Sequence, residues 1–401
     1  MMGLLLKAVV LISFFFPPID GSAQPLARYN VKTISYSKKD FVDSIHIEWE
    51  REQIYVPVQI EGKHYRFLLD TGAAQAVIYT DTPISGCIPV GNIRSHDATG
   101  RMDTVQMAVL PPITLGTVTF SGCRATIQSR PVQGRNFDGI IGFDLINCGL
   151  CAKIDVRQRL LILTDRRYFF NGEQGIDMKY KLQFHVPYVD VSPFGSYHES
   201  TLFDTGSRRL YAINRQSFDV CAQKAGSLID TQVEGRSMGR HTIGLSGPEP
   251  LSEVVFLNLS QLRMGDFTFS NLHTLTTMGD SHIGAKVLDY GSMVFNPKKK
   301  RIRFQPYHQQ IEASVDNEQL DIAFVSENGM PCVGLVWELG EPYRLGFRQG
   351  DIILKIDDFI VKNFTHFVVW PFVVGREYRF TVRDMSGQSR EIRWARIKNT
   401  K

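Results

Sequence analysis

The stretch Phe67-Leu68-Leu69-Asp70-Thr71-Gly72-Ala73 decides how the chain is read, because it recurs as Leu202-Phe203-Asp204-Thr205-Gly206-Ser207. Each copy is an apolar run that ends in Asp-Thr-Gly. An Asp at the end of an apolar strand followed by Gly implies a tight turn that another backbone can approach closely. The Thr adds a hydroxyl able to bond across to a second loop. Two copies in one chain point to two half-sites that meet and set two carboxylates side by side.

The sequence around each copy follows one grammar. Ile54-Tyr55-Val56-Pro57-Val58-Gln59-Ile60 alternates, Glu61-Gly62-Lys63 turns, and residues 64–69 return as a second strand into Asp70. Val77-Ile78-Tyr79 opens another strand, and Ile140-Ile141-Gly142 follows, with Gly142 lying 72 residues after Asp70. In the second half, Tyr188-Val189-Asp190-Val191 and residues 199–203 lead into Asp204, Leu210-Tyr211-Ala212-Ile213 follows, and Gly284 of His282-Ile283-Gly284 lies 80 residues after Asp204. Closing hairpins are expected over 152–163 and 292–304. Repeats this long, built from short strands, indicate two related β lobes rather than a solenoid. The run Lys298-Lys299-Lys300-Arg301 reads as a charged turn feeding an edge strand.

With 45 basic and 41 acidic residues in 401, the net charge of +4 is too near balance to indicate nucleic acid or an anionic membrane as partner. Residues 1–7 form a short basic segment, 8–16 an apolar run, Pro17-Pro18 a break, and Gly21-Ser22-Ala23 a small-residue site ahead of Gln24, the pattern of a cleaved export signal over 1–23. The apolar run is too short to span a bilayer. The expected destination is periplasmic or secreted, in a bacterial setting, and the expected form a monomer. An oxidising compartment permits disulfides among Cys87, Cys123, Cys148, Cys151, Cys221 and Cys332, with Cys87 to Cys123 one pairing and the connectivity left open. Cys148 and Cys151 have redox-motif spacing, yet no strand leads straight into a helix around them, so a structural pair or buried thiols is the better reading. Zinc-ligand spacing and dinucleotide or phosphate-loop fingerprints are missing from the sequence, so no metal or cofactor is expected. Ser281-His282 beside Asp280 is not a triad by adjacency, since triads are assembled in space.

The paired motifs, together with Ile140-Ile141-Gly142 and His282-Ile283-Gly284, resemble the aspartic proteases of the pepsin and retropepsin kind over residues 46–307. The resemblance implies a mainly β, bilobal, double-lobe β-barrel acid-protease fold, with Asp70 and Asp204 as the catalytic dyad. Thr71, Gly72, Thr205 and Gly206 would then support the active-site loops. Two carboxyls in contact cannot both ionise readily and share one proton, so one can act as base on a water while the other protonates the attacked carbonyl oxygen. The substrate would be a peptide or protein. Pepsin-like enzymes carry a Tyr on the first-lobe flap; the candidate flap at 94–110 has Gly100 and no Tyr, as in retroviral enzymes. The second lobe has a polar, Gly-rich insertion at 234–250, either a second flap or a loop, and His282 stands where an apolar residue is usual.

Residues 312–319 read as a polar linker. Beyond them, Tyr343-Arg344-Leu345-Gly346-Phe347-Arg348-Gln349-Gly350-Asp351-Ile352-Ile353, with strand patterns at 333–336, 378–383 and 391–394, resembles a PDZ domain. That family captures peptide C-termini on an exposed strand edge, although Asp321 stands where a Gly is usual in its carboxylate loop. The expected division is therefore 1–23 signal, 24–172 first lobe, 173–311 second lobe and 312–401 PDZ-like unit. The rival function is a non-catalytic peptide binder that uses the inter-lobe cleft and the PDZ-like edge.

Overall fold

Gln53–Ile60 and Lys63–Leu69 pair antiparallel with Tyr55 opposite Leu68, joined by a turn in which Glu61 and Gly62 both take positive φ. In the computed structural model, which describes residues 33–130, 136–244, 247–315, 317 and 319–395, this hairpin is the spine of the first lobe. The expected leader at 1–23 lies outside the described residues, as do residues 29–32 of a further β-like stretch in the sequence, 29–36, of which Ser35–Tyr36 forms a strand. The short strand Gly139–Ile141 runs parallel to Lys63–Leu69, with Ile140 opposite Leu68. Its other side is antiparallel to Ala76–Tyr79, with Ile140 opposite Val77. Asp70 thus leaves its strand into a loop whose two ends are clamped by one intervening strand. Arg124–Gln128 and Met102–Val109 continue this 11-stranded sheet to a long hairpin arm, Ile88–His96 paired with Met102–Val109.

The second lobe repeats this pairing pattern around its own motif. Val186–Phe194 pairs Tyr197–Asp204 with Tyr188 opposite Leu202; His282–Gly284 runs parallel to the latter and antiparallel to Tyr211–Asn214. His282 therefore lies opposite both Leu202 and Ala212, the place Ile140 takes against Leu68 and Val77. Its own hairpin arm is Val233–Gly239 with Ser252–Leu259, so the insertion at 234–250 is a second flap rather than a loose loop. The helix Arg215–Ala225 has no counterpart in the first lobe; it is started by Asn214, whose Oδ1 accepts from the Gln216 and Ser217 amides.

The lobes are sewn together by backbone. Cys151–Asp155 pairs with Leu160–Thr164, Gly291–Asn296 pairs with Arg301–Pro306, and the two hairpins join through Ala152 opposite Phe295 and Ile154 opposite Met293. Val42–His46 closes one side and Ile176–Gln183 the other. The strand after the basic turn is thus interior to this sheet, flanked on both sides, and not the edge strand expected. Above the sheet Phe295 is fully buried, with its ring 5.6 Å from that of Phe203 and 6.1 Å from that of Phe143, one from each lobe.

The presumed linker is tied down. Glu312–Ser314 adds a parallel strand to Phe267–Ser270, and Asn317 both accepts from the His273 amide (2.9 Å) and donates to its carbonyl (2.8 Å). The Gln319 amide donates to Glu234 and to the carbonyls of Leu257 and Thr274. A six-stranded sheet from Ile322–Glu327 to Ser389–Ala395 then encloses its own core of Phe347, Tyr378, Phe380 and Trp394. It meets the second lobe across an apolar seam in which Leu335 and Trp337 pack on Val254, Phe256 and Leu275.

All six cysteines are free thiols, so the suggested Cys87 to Cys123 bridge is not made. Burial pushes the Cys148 thiol up to about 12 and raises Cys151 too, the opposite of what a redox pair requires.

Because Phe295 joins both lobes in one core, Phe295→Ala is predicted to cost about 3–5 kcal/mol. Urea unfolding followed by tryptophan fluorescence checks it, with the expected loss appearing in one transition shared by the lobes.

Candidate active site

The strand and loop geometry of the two lobes brings the two Asp-Thr-Gly loops into direct contact. The Thr71 hydroxyl donates to the Phe203 carbonyl at 2.6 Å and accepts from the Thr205 amide at 3.1 Å. The Thr205 hydroxyl returns the same pair of bonds, donating to the Leu69 carbonyl at 2.8 Å and accepting from the Thr71 amide at 3.0 Å. Both threonines are fully buried, so these bonds compete with no water.

Each glycine then presents bare backbone to the opposite carboxyl. A Cβ on Gly72 would sit 2.6 Å from Asp204 Oδ1, and one on Gly206 would sit 2.5 Å from Asp70 Oδ2. Each carboxylate is also held by its own loop: Asp70 Oδ1 accepts from the Gly72 and Ala73 amides, and Asp204 Oδ1 from those of Gly206 and Ser207. Gly142 and Gly284 close the rear. A methyl on the first would strike the Gln75 backbone at 2.5 Å and one on the second the Arg209 carbonyl at 2.1 Å, Gln75 and Arg209 each being five residues past their Asp.

Burial pushes both carboxyls above the usual Asp range, and the charge of Asp204 and a hydrogen bond to it carry Asp70 further. On Asp204 the hydrogen bond from Asp70 and the loop amides pull the other way. The pair therefore keeps one proton between its members to a pH at which an isolated Asp is ionised. All six residues expected from the sequence, Asp70, Thr71, Gly72, Asp204, Thr205 and Gly206, fall within this one arrangement.

Two further residues brace it. Arg208 donates through Nη2 to Gln53 Oε1 at 2.6 Å, the Tyr55 hydroxyl donates to the same oxygen, and the Gln53 amide reaches the Gly206 carbonyl at 3.4 Å. Gln53, a polar residue directly ahead of the alternating run 54–60, was the available signal, since a polar side chain facing a core needs a partner. Arg208 gave none. His282 bonds through Nδ1 to the backbone carbonyl of Asp280, while Ser281 donates to the Glu199 carboxylate. No Ser-His-Asp relay is formed there.

Two hairpin flaps meet at their tips. In the first, Asp97 Oδ1 collects the Thr99 amide and hydroxyl and the Arg101 amide, fixing the tip. That tip crosses to the second lobe, where the Ala98 carbonyl lies 2.3 Å from the Cβ that Gly279 lacks. The second flap ends in a crown, Ile243–Gly244 paired with Gly247–Pro248, and Gly244 lies under Asp97 and Thr99 of the first. Within it the Glu249 carboxylate accepts from the His241 and Thr242 amides.

The raised pair has a stability signature. A carboxyl whose folded pKa lies above its unfolded value stabilises the fold fully below the unfolded value, here 3.8, and loses that contribution as pH rises through the folded value. Urea midpoints of the wild type should therefore fall as pH rises from about 4 toward neutrality. Asp70→Asn, which removes the shared proton, should flatten that fall.

One comparison with known proteins agrees with this geometry at a coarse level. A family model described as aspartyl protease matches residues 56–145. A comparison with curated protein sequences yields no match. Among solved structures, basic 7S globulin from soybean is similar with a TM-score of 0.40 and 10% identity, over 66% of this chain and 94% of that one. Residues 56–145 are thus similar to an aspartyl-protease domain, within a chain whose architecture is mainly β and double-lobed.

Proposed function

We propose that this chain is an exported endopeptidase of the aspartic type, with Asp70 and Asp204 as its catalytic dyad. The observation that carries the reading is the reciprocal grip of the two motif loops. It fixes two carboxyls against each other in a buried setting that raises both. A structural Asp that merely caps a turn needs no second carboxyl beside it, and the desolvation such a pair suffers is characteristic of functional sites.

In the proposed reaction the ionised member takes a proton from a water whose oxygen bonds to the scissile carbonyl carbon. The protonated member gives its proton to the carbonyl oxygen. The resulting gem-diol passes a hydroxyl proton to the ionised member as the C–N bond breaks, while the protonated member gives its proton to the departing amine, so the pair ends singly protonated as it began. Thr71 and Thr205 are positioning residues here, since they hold the loops and touch no reacting atom. The flaps would lie over an extended peptide and exclude water from it.

The C-terminal unit runs hairpin, short helix Glu341–Leu345, Gly350-Asp351 turn, strand, helix Phe364–Val368 and closing hairpin, an order that supports a PDZ-like reading. Capture of a peptide on the Ile322–Glu327 edge is proposed with it. Export is proposed from the N-terminal pattern, and N-terminal sequencing of the mature chain should then begin near Gln24.

Asp70→Asn and Asp204→Asn should each lower cleavage of a peptide library by about 10²–10⁴-fold while leaving the circular dichroism spectrum unchanged. Retention of the wild-type rate by either variant rules out the dyad. A rate that is highest at acidic to neutral pH and falls as the pair loses its shared proton is the expected profile.

A further inference from the structure

The second flap is held from outside. Its strand Val233–Gly239 runs beside Met330–Val336 of the C-terminal unit, and at the base of the crown the two backbones meet. The Arg240 amide donates to the Gly334 carbonyl at 2.8 Å. A Cβ on Gly334 would lie 2.4 Å from the Arg240 carbonyl, and one on Gly239 2.4 Å from Leu335 Cδ1. Such an approach is open only to glycine on both sides. The Arg240 guanidinium pairs with Glu327 at the end of strand Ile322–Glu327. Three residues further, Ile243 packs against the apolar core of the unit, where Phe324 and Phe367 stand 4.7 Å apart, and Gly247–Pro248 lies against the same strand. Among the described residues Ile322–Glu327 is hydrogen-bonded to one neighbour only, Met330–Val336, and so ends its sheet.

The crown therefore offers this sheet edge a cation, two spacer residues and an aliphatic side chain. Its other side carries Gly244, against which the tip of the first flap rests. Flap one leans on flap two, and flap two leans on the C-terminal unit.

We propose that the Ile322–Glu327 edge is a docking surface for an extended peptide of the form basic-x-x-aliphatic, which competes with the crown of the second flap and so unlatches the roof of the cleft. The basic residue replaces Arg240 on Glu327, and the aliphatic one replaces Ile243 against the core. This rests on the peptidase reading for its effect on catalysis, but not for the binding itself.

The test uses the full-length protein and a synthetic peptide carrying residues 239–250. Amide hydrogen exchange over 240–249 reports whether the crown is seated. The Arg240–Glu327 pair is partly buried, so Glu327→Arg should speed that exchange about fivefold or more, and adding Arg240→Glu should restore it. Saturating peptide should speed exchange in the wild type and fail to bind Glu327→Arg. A peptide with Glu at its Arg240 position should reverse that preference. Unchanged exchange in Glu327→Arg, no rescue by the swap, or a peptide that leaves the crown protected would each overturn the proposal. In the same samples, the peptide should raise the rate of cleavage of a protein substrate several-fold. If the wild type cuts nothing while the exchange responses hold, the peptidase reading fails and the docking surface stands. If cleavage occurs and ignores the peptide, the gating fails.

Discussion

Four hydrogen bonds from two threonine side chains set the positions of everything catalytic in the proposed mechanism. Each Thr hydroxyl satisfies a carbonyl and an amide of the opposite loop, and with all four groups buried the alternative to the bond is an unsatisfied polar atom, which costs about 1–3 kcal/mol apiece. The loops consequently cannot slide apart in small steps. The glycines follow from this closeness, because any side chain at 72 or 206 would occupy the opposite carboxyl's place. The shared proton follows in turn, since two acids pressed together in a dry setting cannot both be charged.

The symmetry of the scaffold is closer than the symmetry of the chemistry. Backbone register equates Ile140 with His282 and Gln75 with Arg209, so the second half-site places an imidazole and a guanidinium where the first places an aliphatic chain and an amide. Burial lowers the pKa of both groups; the charge of Arg209 lowers His282 further, while Glu249 pulls Arg209 the other way. The two sides of the cleft are thus electrostatically unlike even though their strands superpose in pattern.

What the sequence disclosed and what it hid divide along one line. Asp70, Asp204 and their Thr and Gly neighbours were legible because the motif is local and the apolar lead-in has a strand's period. The hairpins were legible for the same reason. The role of residues 301–306 was misjudged because alternation reveals which face is buried, but not whether a strand from elsewhere, here Gly291–Asn296 or Ile176–Gln183, takes each edge. Residues 312–319 looked like a linker because they are polar; Asn317 and Gln319 are polar because they complete the backbone of the second lobe. The Arg208 and Gln53 brace joins residues 155 positions apart, a distance no periodicity spans.

The shared sheet also bears on how the molecule is made. Cys151–Asp155 is bonded on one side by its own hairpin and on the other by Gly291–Asn296. A ribosome must add well over a hundred residues between the two. Until it does, the finished first lobe carries a bare strand edge with unpaired amides and carbonyls, the kind of surface that invites pairing with another nascent chain. Closing so long a loop before its contacts repay the lost entropy also makes assembly slow. Joining the lobes by backbone, which gives the mature cleft its rigidity, thus leaves the growing chain with a period of exposure.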